Sequence, residues 1–207
     1  MISVVVPVFN EEESVGPLYR RLTAAAASWG EELELVLVDD GSTDGSLARM
    51  VEVADRDPRV RVVKLSRNFG HQAAISAGIR SASGDAVVLM DGDLQDPPED
   101  ITRFIEAWRA GNEVVYGIRM ARKEGLGKRI AYRLFYRVLD LISDIDVPLD
   151  AGDYCLMDRR VVDVLEQNLP EQIRFVRGLR AYAGFRQVGL RYERGARLRG
   201  EAKYSVS

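Results

Sequence analysis

The sequence predicts an α/β fold, a mainly parallel sheet with helices on both faces. Three observations predict it. Short apolar runs alternate with helical patterns through residues 1–118, as chained β-α-β units do. The runs are apolar throughout, as strands covered on both faces are. The ends of the runs at 7–12, 39–44, 66–71 and 91–97 are rich in polar or charged residues, and open α/β sheets bind ligands outside the carboxyl ends of their strands.

Residues 2–8 are the first strand. Residues 11–28 carry Val15, Leu18, Leu22 and the pair Ala25 and Ala26 at helical spacing. Residues 33–38 are the second strand and 46–55 the second helix. Strand, helix and strand follow at 60–65, 72–81 and 86–90. Residues 98–110 form a helix opened by prolines, which the first turn tolerates. Residues 114–118 close the series, so the four polar strand ends are expected on one edge.

After residue 118 the character changes. Residues 119–127 are a polar, glycine-containing loop. Residues 128–141 read as an amphipathic helix with Ile130, Leu134, Val138 and Leu141 on one side. Its other positions carry Arg129, Tyr132, Arg133, Tyr136 and Arg137. That pattern suits an anionic membrane surface and, equally, an ordinary surface helix. Residues 152–157 are a short strand, 159–165 and 172–183 helices, and 187–192 the last strand.

At 207 residues and 46% hydrophobic, the chain has the size and composition of one large globular domain. A net charge of -3 gives no nucleic-acid signature. One cysteine and one histidine exclude an internal disulfide, argue against structural zinc and fit a reducing compartment. No run of about 18 apolar residues is present, so no membrane-spanning helix is predicted in these residues. Met1 leads directly into a strand, and no signal peptide is expected. Charge is unevenly placed. Residues 174–203 hold nine basic residues against Glu193 and Glu201, which suits an anionic partner or a solvated face.

The richest stretch is Asp91-Gly92-Asp93-Leu94-Gln95-Asp96-Pro97-Pro98. Carboxylates so close repel unless positive charge sits between them. A divalent cation carrying a diphosphate supplies it, and oxygen ligands suit Mg²⁺ or Mn²⁺. In Asp39-Asp40-Gly41-Ser42-Thr43-Asp44, carboxylates can accept from ribose hydroxyls or a base N–H. Gly41 allows a tight turn and Asp44 is expected to cap the next helix. Capping does not explain Asp39 and Asp40 together. Asn10 reads as an N-cap, with Glu11, Glu12 and Glu13 in the first turn. The lone His71 reads as structural, without an acid–base role, and Cys155 as a packed residue.

Taken in order, Val6-Pro7-Val8-Phe9-Asn10-Glu11-Glu12, the Asp39–Asp44 and Asp91–Pro98 motifs, Arg67-Asn68-Phe69-Gly70 and Gly152-Asp153-Tyr154 resemble family-2 inverting glycosyltransferases. With Arg197-Leu198-Arg199-Gly200-Glu201-Ala202-Lys203-Tyr204, the chain resembles the polyprenyl-phosphate branch over essentially its whole length. That branch contains dolichyl-phosphate mannose synthases and bacterial polyprenyl-phosphate glucosyltransferases. The resemblance implies a single GT-A domain, Rossmann-like, with a nucleotide-sugar half at 1–118 and an acceptor half with a membrane-proximal basic segment at 119–207. It implies Pro7, Phe9, Glu11, Asp39 and Asp91 at the nucleotide, and Asp91, Asp93 and Gln95 at Mg²⁺ or Mn²⁺. Asp153 and Asp93 would be catalytic. Arg119, Arg129, Arg197 and Lys203 would face phosphates. Two positions depart from the family pattern. Cys155 follows Tyr154 where an arginine is usual, and Ala202 precedes Lys203 where a serine or threonine is usual.

The implied partners are a UDP- or GDP-linked sugar, a polyprenyl phosphate and a membrane surface on its cytoplasmic side, with no nucleic acid and with a homo-oligomer left open. Because relatives of this branch usually continue into transmembrane helices, the native protein is expected to extend past Ser207. Inversion implies one in-line displacement through an oxocarbenium-like transition state. A phosphate monoester, with a second pKa of about 6, is already mostly dianionic at neutral pH. Asp153 is therefore expected as a general base or, equally, as a group that positions the sugar or stabilises the oxocarbenium ion. Two other readings stay open: a hydroxyl acceptor in polysaccharide synthesis or protein modification, and a non-catalytic nucleotide-binding or scaffold domain.

Overall fold

A computed structural model describes residues 1–120, 151–167 and 176–195. Apolar β-branched runs make β1 (Ile2–Val8), β2 (Leu33–Asp39), β3 (Val60–Lys64), β4 (Ala86–Leu89) and β5 (Val114–Arg119). Between them lie α1 (Glu12–Ala26), α2 (Ser46–Arg56), α3 (His71–Ser81) and α4 (Ile101–Arg109). Then follow β6 (Ala151–Asp158), α5 (Arg159–Gln167), α6 (Val176–Tyr182) and β7 (Gln187–Tyr192). The predicted 98–110 helix divides: Pro98–Asp100 is a 3₁₀ turn ahead of α4, a common start where proline removes an N–H. The predicted 119–127 loop, beyond its first two residues, and the 128–141 helix lie outside the described residues.

Among the described residues, seven strands form one sheet in the order β3-β2-β1-β4-β6-β5-β7. β3, β2, β1 and β4 are mutually parallel, and β5 pairs parallel with β7. β6 runs antiparallel between β4 and β5. Strand residues alternate between two cores. Val4, Val6, Leu35, Leu37 and Val88 meet Val15, Leu18 and Leu22 of α1, Met50 of α2 and Phe104 of α4. Val5, Val36, Val38 and Val87 meet Ala74, Ile75 and Ile79 of α3, Val161 and Leu165 of α5 and Val176 of α6. Each fully buried Leu or Val contributes about 1.5–3 kcal/mol, so both faces hold the sheet rigid beneath its edge.

The register aligns the polar ends. Val8 lies beside Asp39, and Asp40 N donates to Val8 O at 2.9 Å. The last β4–β6 pair toward this edge is Leu89 with Cys155. Continuing that antiparallel register by two residues puts Asp91 opposite Asp153. Pro7 falls beyond the last β1–β4 pair, Val5 with Leu89, where a missing N–H is tolerated.

Candidate functional site

Three loops at this edge are fastened to one another. Asn10 adopts φ 53°, and its side-chain oxygen accepts from Thr43 N at 2.8 Å while its own N–H donates to Ser42 Oγ at 3.0 Å. It is thus a staple between the first two loops, not the expected N-cap, because α1 starts two residues later. Asp44 serves both helices: Oδ1 accepts from Ser46 N at 2.9 Å and Oδ2 from Glu12 N at 3.3 Å. Glu11 N donates to Ser46 Oγ at 2.8 Å, and the Glu11 carboxylate accepts from Ser14 Oγ at 2.9 Å.

Asp39 and Asp40 divide their tasks. Asp40 is fully buried, and its two oxygens accept from Phe69 N at 2.8 Å and Gly70 N at 3.0 Å. It shapes the loop that delivers His71. Gly41, at φ 71°, lets that loop approach, since a side chain there would collide with the backbone of Arg67 and Asn68. Asp40→Ala strands two part-buried amides and should cost about 2–3 kcal/mol in denaturant titration, with Asp40→Asn costing roughly half. Asp39 is 1% exposed; Oδ1 accepts from Ser42 N at 3.0 Å, while Oδ2 is buried with no hydrogen-bond donor among the described residues. Buried acceptors are normally paired, so this oxygen suits an N–H brought by a ligand. Pro7 is buried and Phe9 half-buried in the adjoining loop.

The acidic motif follows β4. Asp93 Oδ1 accepts from Gln95 N at 3.0 Å, turning the chain so that Leu94 sits at φ 61°. Arg194, just past β7, enters this turn. Its Nη2 lies 3.1 Å from Asp91 Oδ2 and 3.8 Å from Asp93 Oδ2, and its Nε lies 3.7 Å from Asp96 Oδ1. Gly195 N donates to Gln95 O at 2.8 Å and Gln95 Nε2 to Gly195 O at 3.3 Å. Tyr192 OH donates to the fully buried Asp96 at 2.7 Å, and Arg119 Nε donates to that hydroxyl at 3.3 Å. Across the β4–β6 register, His71 Nε2 lies 3.6 Å from Asp91 Oδ1 and 3.4 Å from Asp153 Oδ2. Gln72 Nε2 donates to the same Asp153 oxygen at 3.4 Å.

Burial raises Asp91 to about 6, with repulsion from Asp96 and Asp93 outweighing attraction from His71 and Arg194. Burial likewise raises Asp96, against its Tyr192 bond and Arg194. Burial pushes Asp153 upward too, but the His71 bond, then the charges of His71, Arg177 and Arg180, hold it below the usual carboxylate range. Burial opposes the charge on His71, yet Asp153 and Asp91 hold its imidazole above its ordinary value.

The three raised groups, Asp91, Asp96 and His71, act in one direction. A group with a raised folded pKa binds more protons folded than unfolded, so stability falls as pH rises from its unfolded through its folded pKa. For Asp91 that window runs from 3.8 to about 6, and at about 1.4 kcal/mol per unit the loss is at most about 3 kcal/mol. Metal-free protein should melt several degrees lower at pH 7.5 than at pH 5.0, and Mn²⁺ with a nucleoside diphosphate should raise the melting temperature more at pH 7.5. Differential scanning fluorimetry reads both; an equal shift at the two pH values would contradict the account.

Among the described residues, no group of three or more His, Cys, Asp or Glu side chains forms a ready metal cage. Mg²⁺-type ions need none, because they take one or two carboxylates plus substrate phosphates. Asp91 and Asp93 fit that pattern, since both approach the same guanidinium nitrogen. The structure brings Asp39, Asp91, Asp93, Gln95, Arg119 and Asp153 to the strand-end edge that also carries Pro7, Phe9 and Glu11. Arg129, Arg197 and Lys203 lie outside the described residues. Sequence reasoning missed Arg194, Tyr192 and Gln72, and gave His71 no role although its loop was among those expected at this edge. Nothing in the local pattern separates Arg194 from its basic neighbours.

A family model described as Glycosyl transferase family 2 matches residues 3–165. The uncharacterized glycosyltransferase YkcC of Bacillus subtilis is 48% identical over 205 residues, covering 99% of this chain and 63% of that protein. The bactoprenol glucosyl transferase of Shigella phage SfV is 38% identical over 205 residues, 99% of this chain and 66% of its own length. The chain thus spans somewhat less than two thirds of these curated relatives. Among solved structures, the mannosyltransferase PcManGT from Pyrobaculum calidifontis, in complex with GDP-Man and Mn²⁺, is similar with a TM-score of 0.67 at 22% identity, over 96% of this chain and 58% of that one. Glucosyl-3-phosphoglycerate synthase from Mycobacterium tuberculosis gives 0.62 at 19% identity, over 97% and 73%. At these identities the structural likeness concerns the fold alone.

Proposed function

We propose, for a chain that belongs to glycosyl transferase family 2 and has the GT-A fold, that it moves a hexose from a nucleotide sugar to a polyprenyl phosphate with inversion, at the cytoplasmic face of a membrane. The observation that carries this is His71 Nε2 lying 3.6 Å from Asp91 and 3.4 Å from Asp153, at the edge that also holds an Asp39 oxygen with no hydrogen-bond partner among the described residues. One edge thereby offers a place for a base, a diphosphate and an anomeric carbon. The 38% identity to a bactoprenol glucosyl transferase supports the lipid acceptor.

In this reading Asp39 accepts from the nucleobase, with Pro7, Phe9 and Glu11 around base and ribose. Asp91 and Asp93, with Gln95, hold Mg²⁺ or Mn²⁺, which supplies positive charge to the departing nucleoside diphosphate. Asp153 sits across from that centre with Oδ2 occupied by His71 and Gln72. Held ionised, it is a weak base but a strong countercharge, so it stabilises the oxocarbenium-like transition state. A phosphate dianion needs no deprotonation. Arg119 leans on Tyr192 at the acceptor side, where Arg129, Arg197 and Lys203 would join it. Residues 1–118 then serve the donor and 119–207 the acceptor.

Radiolabelled UDP- and GDP-sugars incubated with polyprenyl phosphate and Mn²⁺ or Mg²⁺ should yield label in the lipid phase, and EDTA should stop it. No transfer from any common nucleotide sugar by the full-length protein would remove the lipid assignment.

A further inference from the structure

We propose that Arg194 is a donor-diphosphate residue which, before the donor arrives, serves as the counter-cation of the acidic turn. This rests on the reading that Asp91 and Asp93 receive the metal-bound diphosphate. One guanidinium faces three carboxylates: Asp91 at 3.1 Å, Asp93 at 3.8 Å and the fully buried Asp96 at 3.7 Å. Its Nε is buried with no hydrogen-bond partner among the described residues, and the same holds for Asp96 Oδ2. The pairing is therefore electrostatically strong but geometrically loose, which suits a contact meant to be exchanged.

The backbone at residue 195 is pinned by two hydrogen bonds, whereas among the described residues the guanidinium is held by one, from Nη2 to Asp91 Oδ2 at 3.1 Å. The reciprocal bonds between Gln95 and Gly195 tie residue 195 to the acidic turn, so the guanidinium can swing only within reach of that turn. A divalent ion bound at Asp91 would compete with the guanidinium for the same Oδ2, and two cations at that distance repel. A diphosphate reverses the sign. It adds negative charge and offers planar oxygen pairs that a guanidinium binds through two parallel hydrogen bonds. Arg194 thus opposes metal that comes alone and favours metal that comes with a nucleoside diphosphate. Metal and donor loading are coupled through one side chain, which lies within the basic segment at residues 174–203.

The test uses the 207-residue chain and Mn²⁺ alone, followed by electron paramagnetic resonance, then UDP and GDP by calorimetry with Mn²⁺ present. Arg194→Ala should bind Mn²⁺ alone about tenfold more tightly, and the nucleoside diphosphate about 10–100-fold more weakly. Arg194→Lys keeps the charge but not the fork. It should hold Mn²⁺ affinity near wild type and recover only part of the nucleotide affinity. Opposite signs for the two ligands cannot come from a damaged fold, which would weaken both. Unchanged or weaker Mn²⁺ binding in Arg194→Ala, with metal-dependent nucleotide binding intact in wild type, would overturn the role of Arg194 alone. Metal-independent nucleotide binding by wild type would overturn the parent reading and this proposal with it.

Discussion

Asp91→Asn should lower sugar transfer by on the order of 10²–10³-fold while leaving the metal-free protein more stable at neutral pH. The two effects share a cause. Burial and the neighbouring Asp96 and Asp93 disfavour charge on Asp91 and raise its pKa to about 6, so a neutral amide of the same shape relieves a penalty that the carboxylate bears above that pH. For a chain of this size each kcal/mol corresponds to about 2–4 °C, so the variant should melt several degrees higher at pH 7.5 and not at pH 5.0. The gain should vanish when Mn²⁺ and a nucleoside diphosphate are added, because only the carboxylate then acquires its countercharge. Activity assays with paired melting curves read both effects. An active variant, or one destabilised at pH 7.5, would contradict the assignment of Asp91 to a cation site.

Asp153→Asn separates the possible acceptors. His71 and Gln72 occupy one oxygen, and His71, Arg177 and Arg180 hold the carboxyl ionised. With a phosphate acceptor its task is electrostatic, and the amide should cost about 10–100-fold in kcat. With a hydroxyl acceptor it must take a proton, and the loss should approach 10⁴-fold, the upper end of general-base contributions. Single-turnover transfer to polyprenyl phosphate distinguishes them. Near-complete loss there would return Asp153 to the role of a base and favour a hydroxyl acceptor. His71→Gln should follow Asp153→Asn in kcat more than in KM, since His71 acts through that carboxylate.

Much of this was legible in the residues themselves. β1 to β5 and their helices follow from apolar runs and helical spacing, which are local signals. The convergence of four polar strand ends follows from parallel connectivity, and Asp39, Asp91 and Asp93 were recognisable because acids at buried strand ends demand an explanation. Asn10 was misread because Asn before acids resembles a cap, whereas its amide binds Thr43 in another loop. Asp40 looked like part of a ligand site, yet both its oxygens are taken by the backbone before α3.

What the sequence by itself determined is the alternating α/β order and the acids at its edge, because periodicity and strand ends depend on neighbours along the chain. What only the tertiary structure decided is the pairing of those acids. Insertion of β6 antiparallel between β4 and β5 brings Asp153 to the edge that carries Asp91, with His71 within 3.6 Å of both, and the return of β7 sets Arg194 against residues about 100 positions earlier. Such contacts arise from strand register and from charge balance in a buried turn. Both are properties of packed neighbours rather than of any local run of residues.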